Sequence, residues 1–259
     1  MLRPTALLLA AALACTTLWA PAAYAAPRAM SAEEVYAVGL KFLKRGYYTK
    51  ALENFNRVRT FYRDDPYSLK AELAIADIHY RKTEWDEARI AYEDFMRAHP
   101  RYPELDLVIY RLGMVLYKKA PVVPDRDQTW TRQTVNTWVG FGARFPESEH
   151  RPEVEKFYAK AQDRLARKEL IIAQFYARRE SWASVVGRVE PMLRTWPEAE
   201  SRGEAMALYG NALHQLGNAE GAQAVLAQLQ ADAALARWAR RLSADLARPA
   251  KAPKLLRTG

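Results

Sequence analysis

Small and apolar residues recur along this chain at a spacing of 37 residues. Gly39, Ala76 and Gly113 stand at this spacing, each preceded by an aliphatic residue and followed five positions later by a base. The two further columns are Val38, Ile75 and Leu112, and Lys44, Arg81 and Lys118. A fixed period of this length indicates a repeat protein, in which each unit is one supersecondary element that stacks on its neighbours.

The second half of each repeat has an apolar pattern of its own. Ala51 leads to Phe55 in the first repeat, and Ala88 leads to Tyr92 in the second, which Pro100 closes. Steps of three and four residues predict an amphipathic helix. Each unit is therefore predicted to be a helix-turn-helix, in which small residues let two backbones approach and aromatic residues fill the space between units.

This unit resembles the tetratricopeptide repeat (TPR), a helical hairpin of about 34 residues. The composition agrees, because helix-forming residues dominate and only 11 of the 259 residues are glycine. We therefore predict an all-α fold, an α-solenoid of about five tetratricopeptide-like helix pairs. Stacked units bury a continuous core and leave a curved surface that such folds use for binding.

The later repeats depart from the pattern. Pro146 is expected to close the second helix of the third repeat, and the residues in excess of the repeat length fall in an exposed loop at 120–127. The fourth repeat is predicted to have a long first helix at 152–178 and a second helix at 182–196. The predicted divisions are N-terminal repeats 1–3 at 31–146, C-terminal repeats 4–5 at 147–247, and a basic, disordered tail at 248–259.

The first 25 residues have the pattern of a secretory signal. An apolar run at 5–14 is followed by small residues that end in Ala23-Tyr24-Ala25, and residues 26–30 form a short linker. A membrane-spanning helix is the alternative interpretation, but Pro21 and the weakly apolar alanines suit a membrane core poorly. We expect the mature protein to be exported.

Cys15 is the only cysteine, so the chain has no internal disulfide. It directly follows the apolar run, where a bacterial lipoprotein precursor carries the cysteine that becomes acylated. Ala12 stands where a leucine is usual, and Ala25 ends an ordinary cleavage site. Two outcomes are therefore open: cleavage before Cys15 with lipidation and a membrane anchor, or cleavage after Ala25 with Cys15 discarded.

The sequence contains no arrangement typical of an enzyme. No histidine pair has metal-ligand spacing, and no Gly-rich phosphate loop occurs. The acidic pairs Glu33-Glu34 and Asp64-Asp65 fall at predicted helix entries, and Ser31 with Glu34 forms a capping box. We predict a non-catalytic protein with no cofactor and no metal. The histidines are His79, His99, His150 and His214.

The formal net charge of +9 suggests an anionic partner. Nucleic acid is not expected, because export removes the protein from that compartment and the bases are dispersed among acids. Anionic lipid or lipopolysaccharide phosphate is the better candidate for the bases of the tail. These are Arg248, Lys251, Lys254 and Arg257.

One segment distinguishes among the many protein families that contain such repeats. "RRESWASVVGRVEPMLRTWPEA" at 178–199 resembles the BamD family (also called YfiO or ComL), helical-repeat lipoproteins of the outer-membrane β-barrel assembly machinery. "YYTKALENFNRVRTFYRDDPYS" is similar to the family's first repeat, "IYRLGMVLY" to its third and "DRDQ" to the step after the third-repeat loop. The similarity covers about residues 31–232.

The resemblance implies a scaffold at the periplasmic face of the outer membrane. Its C-terminal repeats would bind the POTRA domains of a BamA-like barrel subunit, with Arg188, Glu190 and Arg194 at the contact, although a solvated surface arginine is the plain alternative. Its N-terminal repeats would recognise unfolded outer-membrane protein precursors. The loop at 119–128 is shorter than in relatives, where an additional lipoprotein partner binds nearby, so that partner is in doubt. Another periplasmic TPR adaptor, tied to cell-wall synthesis or division, is the rival function.

The repeat phase predicts a groove independently of the family. The first helix of each pair lines the concave face in such arrays, where aromatic residues would alternate with bases. An extended peptide ending in an aromatic residue and a free carboxylate would suit this groove, as β-barrel precursors do. The plain alternative is that the tyrosines belong to the core and the bases only solubilise. The predicted groove residues are Tyr36, Leu40, Leu43 and Lys44; Leu73, Asp77, Tyr80 and Arg81; and Tyr110, Met114, Tyr117 and Lys118.

Overall fold

The computed structural model of the protein describes residues 29–250. The described chain forms α-helices and one short 3₁₀ helix at Ala233–Leu235, and no strand. The helices are α1 Ala32–Lys44, α2 Tyr48–Phe61, α3 Pro66–Arg81, α4 Trp85–Ala98, α5 Leu105–Lys119, α6 Thr129–Trp138, α7 Phe141–Arg144, α8 Arg151–Arg178, α9 Trp182–Thr195, α10 Arg202–Gln215, α11 Ala219–Ala231 and α12 Ala236–Leu246.

The helices pack in chain order as successive antiparallel pairs. The pairs are α1/α2, α3/α4, α5/α6, α8/α9 and α10/α11, and α12 closes the array against α10 and α11. Each second helix also contacts the first helix of the following pair, including α6 with α8. The protein is therefore an all-α solenoid of five TPR-like helix pairs, as the sequence predicts.

Local sequence signals fix where the helices begin. The amide of Glu34 donates to Ser31 Oγ (3.2 Å) and the amide of Ser31 donates to Glu34 Oε2 (2.7 Å), which confirms the capping box at α1. Asp65 caps α3 by accepting from the amide of Tyr67 (2.8 Å), directly before Pro66 in the first turn. These contacts account for Glu34 and Asp65, one residue of each acidic pair at the helix entries.

Close helix packing explains the small residues of the repeat. A Cβ atom on Gly39 would lie only 2.6 Å from the Phe55 ring, and one on Gly113 would overlap the Trp138 ring. The side chains of Ala51 and Ala88 are fully buried. The steric role that the sequence assigns to these positions is therefore confirmed.

The third repeat differs from the expectation at its end. The second helix does not run on to Pro146; α6 ends at Trp138, and Gly140 adopts a left-handed conformation (φ 71°) before the single turn of α7. The rings of Trp138 before this reversal and of Phe141 after it are both buried. A continuous helix would place residues three apart on one face but could not redirect the chain toward α8.

The loop after α5 is exposed at 122–123 and 125–127, as predicted, and is anchored at its base. Val122 and Val123 are exposed, whereas Gln128 at the base is completely buried. The Gln128 amide donates to the carbonyls of Val123 (2.9 Å) and Pro121 (3.4 Å), and its Oε1 accepts from Thr131 Oγ1 (2.5 Å). The loop is thus held by a buried side chain.

Two predicted segments lie outside the described residues. These are the signal with Cys15 and its cleavage sites, and residues 251–259 of the basic tail. Of the remaining tail, the carbonyl of Arg248 accepts a hydrogen bond from His214 Nε2 (2.9 Å). Within residues 29–250, no helix has the length and apolar character needed to cross a membrane.

Candidate functional site

The first helices of repeats 1–3 contribute to two adjacent cavities. The repeat 1–2 cavity, of about 230 Å³, is lined mainly by α1 and α3, and the repeat 2–3 cavity, of about 350 Å³, by α3 and α5. Asp77 and Arg111 line both cavities and so separate them. The repeat phase therefore places a grooved surface on the first-helix face.

Most of the predicted groove residues line these cavities. In the repeat 1–2 cavity they are Tyr36, Leu40, Leu43, Leu73 and Asp77. In the repeat 2–3 cavity they are Asp77, Tyr80, Arg81, Tyr110 and Met114. Leu73 and Met114 are almost fully buried, so they form the floor and not the rim. The first-helix face thus lines cavities, as the groove prediction requires, and also forms part of the core, as the alternative interpretation of the tyrosines requires.

The tyrosines of the groove are held in place by ring contacts. Tyr36 lies 5.3 Å from Phe55, and Tyr80 lies edge-on to Trp85 at 5.5 Å, measured between ring centroids. Tyr110 stacks on His150 (4.7 Å) and donates its hydroxyl proton to a carboxylate oxygen of Glu153 (2.7 Å). Their positions are fixed by packing before any ligand binds.

Burial also sets the protonation of these phenols. Desolvation is the main cause of a raised pKa at Tyr36 and at Tyr80. Burial, followed by the hydrogen bond to Glu153, raises the pKa of Tyr110 as well. All three hydroxyls therefore remain protonated at neutral pH; Tyr110 donates its proton to Glu153, and Tyr36 and Tyr80 can donate a hydrogen bond.

A partly buried ion pair lies between the two cavities. The carboxylate of Asp77 accepts from Arg111 Nη1 (2.7 Å) and from the Tyr92 hydroxyl (2.6 Å). Burial raises the pKa of Asp77, while Arg111 and the Tyr92 hydrogen bond oppose this rise. The pair links α3 to α5 and is satisfied within the protein, so we assign it a positioning role.

Arg111 is absent from the sequence prediction. The sequence contains only an indirect indication of Arg111. Asp77 falls on an apolar face, and a carboxylate there requires a cation from a neighbouring helix. Lys70, Tyr102 and Glu104 also line the repeat 1–2 cavity without having been predicted. Tyr102 and Glu104 precede α5 in the turn after α4, which the repeat pattern does not place.

The bases at the three equivalent repeat positions lie in different places relative to the two cavities. Arg81 lines the repeat 2–3 cavity, whereas Lys44 and Lys118 are exposed and line neither cavity. Lys44 and Lys118 belong to the last turns of α1 and α5, where a cation stabilises the helix dipole. Of these bases, Arg81 alone is positioned to meet a ligand in the two cavities.

Tyr117 opens onto a third cavity, the junction cavity, of about 490 Å³. Here the end of α5 meets α8, α10 and α12, so residues of repeats 3 to 5 come together. The ring of Tyr117 lies 4.9 Å from that of Phe157 and beneath the guanidinium of Arg164, also at 4.9 Å. Of the predicted groove residues, Tyr117 thus lines the junction cavity and not the two cavities of repeats 1–3.

The structure does not bring the three predicted docking residues into one cluster. Arg188 is about half exposed and donates to Glu169 Oε2 of α8 (3.2 Å). Glu190 and Arg194 are exposed one turn apart, near Tyr209 of α10. The pKa of Tyr209 is raised by burial and then by the Glu190 charge, against which Arg194 acts. The candidates therefore face two sides of α9.

Two of the four histidines are bonded to glutamate side chains. His79 bonds to Glu84 (2.7 Å), and His99 bonds to Glu72 (2.9 Å). Among the residues the structure describes, no group of three or more His, Cys, Asp or Glu side chains could hold a metal ion.

Comparison with known proteins shows which family of proteins the chain resembles. A family profile, YfiO, described as "Outer membrane lipoprotein", matches residues 28–229. The "Outer membrane protein assembly factor BamD" of Neisseria meningitidis is 24% identical over 196 residues, which cover 72% of this chain and 73% of the relative. The protein of the same description from Pasteurella multocida is 26% identical over 193 residues, covering 71% and 74%.

Solved structures were compared as well. A tetratricopeptide repeat protein from Parabacteroides merdae is 13% identical, with a TM-score of 0.38 over 83% of this chain and 90% of its own. The family profile spans all five helix pairs described above, from before α1 to within α11. The chain therefore belongs to the YfiO family of outer membrane lipoproteins.

Proposed function

We propose that this protein is a non-catalytic scaffold in the assembly of outer-membrane β-barrel proteins. In this proposal repeats 1–3 (31–146) bind extended polypeptides, and repeats 4–5 (147–247) dock on a BamA-like barrel subunit through its POTRA domains. Membership of the family, together with relatives named as outer membrane protein assembly factors, supports this role. The bound polypeptides would be unfolded outer-membrane protein precursors.

The row of cavities on the first-helix face is the observation that carries the proposal. At about 230 and 350 Å³ the two cavities lie at or below the lower end of small-molecule sites, which span roughly 300–1,000 Å³. They suit individual side chains of an extended polypeptide. The hydroxyls of Tyr36 and Tyr80 would donate to the polypeptide backbone, and the apolar floor would take aromatic side chains.

Arg81 gives the repeat 2–3 cavity a preference for negative charge. An exposed guanidinium beside Tyr80 and Tyr110 would pair with the free carboxylate of a peptide that ends in an aromatic residue. The partner within the protein, Asp77, is already bonded to Arg111 and Tyr92. Arg81 therefore remains the cation that a ligand would meet in this cavity.

Peptide binding tests this half of the proposal with a matched control. Arg81→Glu should weaken the binding of a fluorescent peptide with an aromatic C-terminal residue by about tenfold or more, as expected for the loss of a charged hydrogen bond. Lys118→Glu makes the same charge change at the equivalent repeat position outside the cavities and should have a much smaller effect. Equal affinities for wild type and Arg81→Glu would reject the groove.

Docking through α9 is tested with the Arg188–Glu169 pair. Arg188→Glu should abolish co-purification with a POTRA-bearing barrel subunit, because a surface arginine at an interface is a frequent hot spot. The charge swap Arg188→Glu with Glu169→Arg restores the internal ion pair but not the arginine at position 188. A swap that recovers co-purification would assign Arg188 to helix packing and reject its docking role. Arg240→Glu on α12 is the surface control.

Attachment at the periplasmic face of the outer membrane would follow from the signal and, where Cys15 is acylated, from a lipid anchor. Mass spectrometry of the mature N-terminus separates a lipidated Cys15 from a free Ala26. Other Bam lipoproteins are further proposed partners. Failure to co-purify with any POTRA-bearing subunit would favour the rival function, a periplasmic adaptor for cell-wall synthesis or division.

A further inference from the structure

The junction cavity is a candidate site that neither the repeat pattern nor the family assigns. It is the largest of the three cavities described above, at about 490 Å³. One wall is the end of α5 with the tip of the following loop, and the others are α8, α10 and α12. Residues far apart in the chain therefore meet at one place, including Tyr117, Arg164 and Trp238.

Two of its three acidic side chains, Glu204 and Asp163, accept hydrogen bonds within the protein. Glu204 accepts from Arg167 Nη1 (2.5 Å) and from Gln174 Nε2 (2.7 Å). The carboxylate of Asp163 accepts from the backbone amide of Glu200 (2.9 Å). These contacts tie α8 to α10 and neutralise Arg167. Beyond the Arg167–Glu204 pair, three cations (Lys160, Arg164 and Arg237) face two carboxylates (Asp163 and the exposed Glu200), so the remaining formal charge of the cavity is positive.

Three cations of the cavity lack a carboxylate partner. Within residues 29–250, no acidic side chain lies within ion-pair distance of Lys160, Arg164 or Arg237. The guanidinium of Arg164 lies over the Tyr117 ring (4.9 Å), and that of Arg237 over the Trp238 ring (4.6 Å). Stacking on a ring fixes the plane of a guanidinium and leaves its N–H edge free to bind.

Two buried polar atoms in the same cavity have no hydrogen-bond partner in the described chain. They are Nη1 of Arg164 and Oγ of Ser201, and Ser201 is only 8% exposed. Burying a donor without a partner is unfavourable, so such atoms in a folded protein call for an explanation. A ligand that accepts from both would supply one.

We propose that the junction cavity binds a carboxylate group of a polypeptide, with Arg164 and Arg237 as the charged donors and Ser201 as a third donor. The geometry suits a carboxylate because its two oxygens match the fork of a guanidinium. Tyr117, Trp238 and the loop residue Val122 supply the apolar surround for the atoms that carry it. The identity of the ligand as a polypeptide rests on the proposed function; the anion site rests on the cavity alone.

Small probes test the site separately from the groove. The full chain with 15N-labelled tryptophan is titrated with N-acetylglutamate amide, N-acetylleucine, their neutral amide analogues and inorganic phosphate, and the Trp238 indole signal is followed. Both carboxylate probes should bind at least about tenfold more tightly than the neutral analogues. A preference for N-acetylglutamate amide identifies a side-chain carboxylate, and a preference for N-acetylleucine identifies a chain terminus.

Variants decide between the site and general charge attraction. Arg164→Gln and Arg237→Gln should each remove most of the preference for carboxylate over amide, whereas Arg240→Gln, also on α12, should retain it. Arg237 is exposed, so its variant tests the site even if Arg164→Gln fails to fold. An unchanged preference in both variants, or tighter binding of phosphate than of the carboxylates, would overturn the proposal.

The groove and the junction cavity can fail independently. Arg81→Glu should leave the binding of the small carboxylate probes to the junction cavity unchanged. Loss of probe binding in Arg81→Glu but not in Arg164→Gln would reject the junction cavity and support the groove. Probe binding that depends on Arg164 in a protein that binds no long peptide would keep the anion site and reject the proposed polypeptide ligand.

Discussion

The indole ring of Trp138 lies against the backbone of Gly113, so closely that a Cβ atom at position 113 would overlap it. Trp138 is only 2% exposed and is among the largest fully packed side chains of the described core. The contact joins α5 to α6 within the third repeat. Glycine at this position therefore determines how closely the two helices approach, and it is not a device for flexibility.

Replacement of Gly113 should destabilise the protein in spite of the better helix propensity of alanine. We expect Gly113→Ala to lower the free energy of unfolding by about 1–3 kcal/mol, because the added methyl overpacks the contact. Gly187→Ala is the control: nothing lies near its Cβ position, and the change should stabilise α9 by about 0.5–1 kcal/mol. Urea denaturation measures both. Equal stabilisation by the two substitutions would contradict the packing.

The Asp77–Arg111 pair should contribute more than the surface ion pairs. Asp77→Ala removes the acceptor of Arg111 and of the Tyr92 hydroxyl, so we expect a loss of about 1.5–3 kcal/mol in urea denaturation. Asp94→Ala breaks the exposed pair with Arg97 and should cost less than about 1 kcal/mol. A double replacement of Asp77 and Arg111 should recover part of the loss.

The turn between α3 and α4 should contribute stability that depends on pH. Hydrogen bonds from Lys82 and then from His79 lower the pKa of Glu84 below its ordinary value. The unfolded chain therefore binds more protons here, so the contribution is present above the unfolded pKa of about 4.3 and is lost as pH falls through the folded pKa. Glu84→Gln should destabilise at neutral pH, with the difference from wild type shrinking below about pH 4. Urea midpoints that differ equally across this range would contradict the assignment.

Gln128 should control access to the loop that it anchors. Gln128→Ala removes three hydrogen bonds at a buried position, and we expect trypsin to cut after Arg126 at least several times faster. The change should cost about 1–3 kcal/mol through the backbone carbonyls that it leaves without a donor. Gln133→Ala, on the exposed side of α6, is the control. Unchanged cleavage at Arg126 would show that the loop is held by other contacts, such as the bond from Lys168.

Structural features that recur from one repeat to the next could be predicted from the sequence. The contact of Gly39 with Phe55 follows from the repeat phase, and the capping box at Ser31 follows from a local four-residue motif. Arg111, Gln128 and Arg164 could not be found in this way, because their contacts cross between elements in a manner that no period determines. The break at Gly140 was missed for a related reason: it redirects the chain toward α8, a tertiary requirement that overrides helical continuity.

The long helix α8 is part of both halves of the molecule. Its first half packs on α6 and α5, and its second half on α9 and α10. A continuous helix of 28 residues extends about 42 Å and resists bending. Under the proposed function it would therefore hold a polypeptide bound to repeats 1–3 at a fixed distance and orientation from a partner bound to α9.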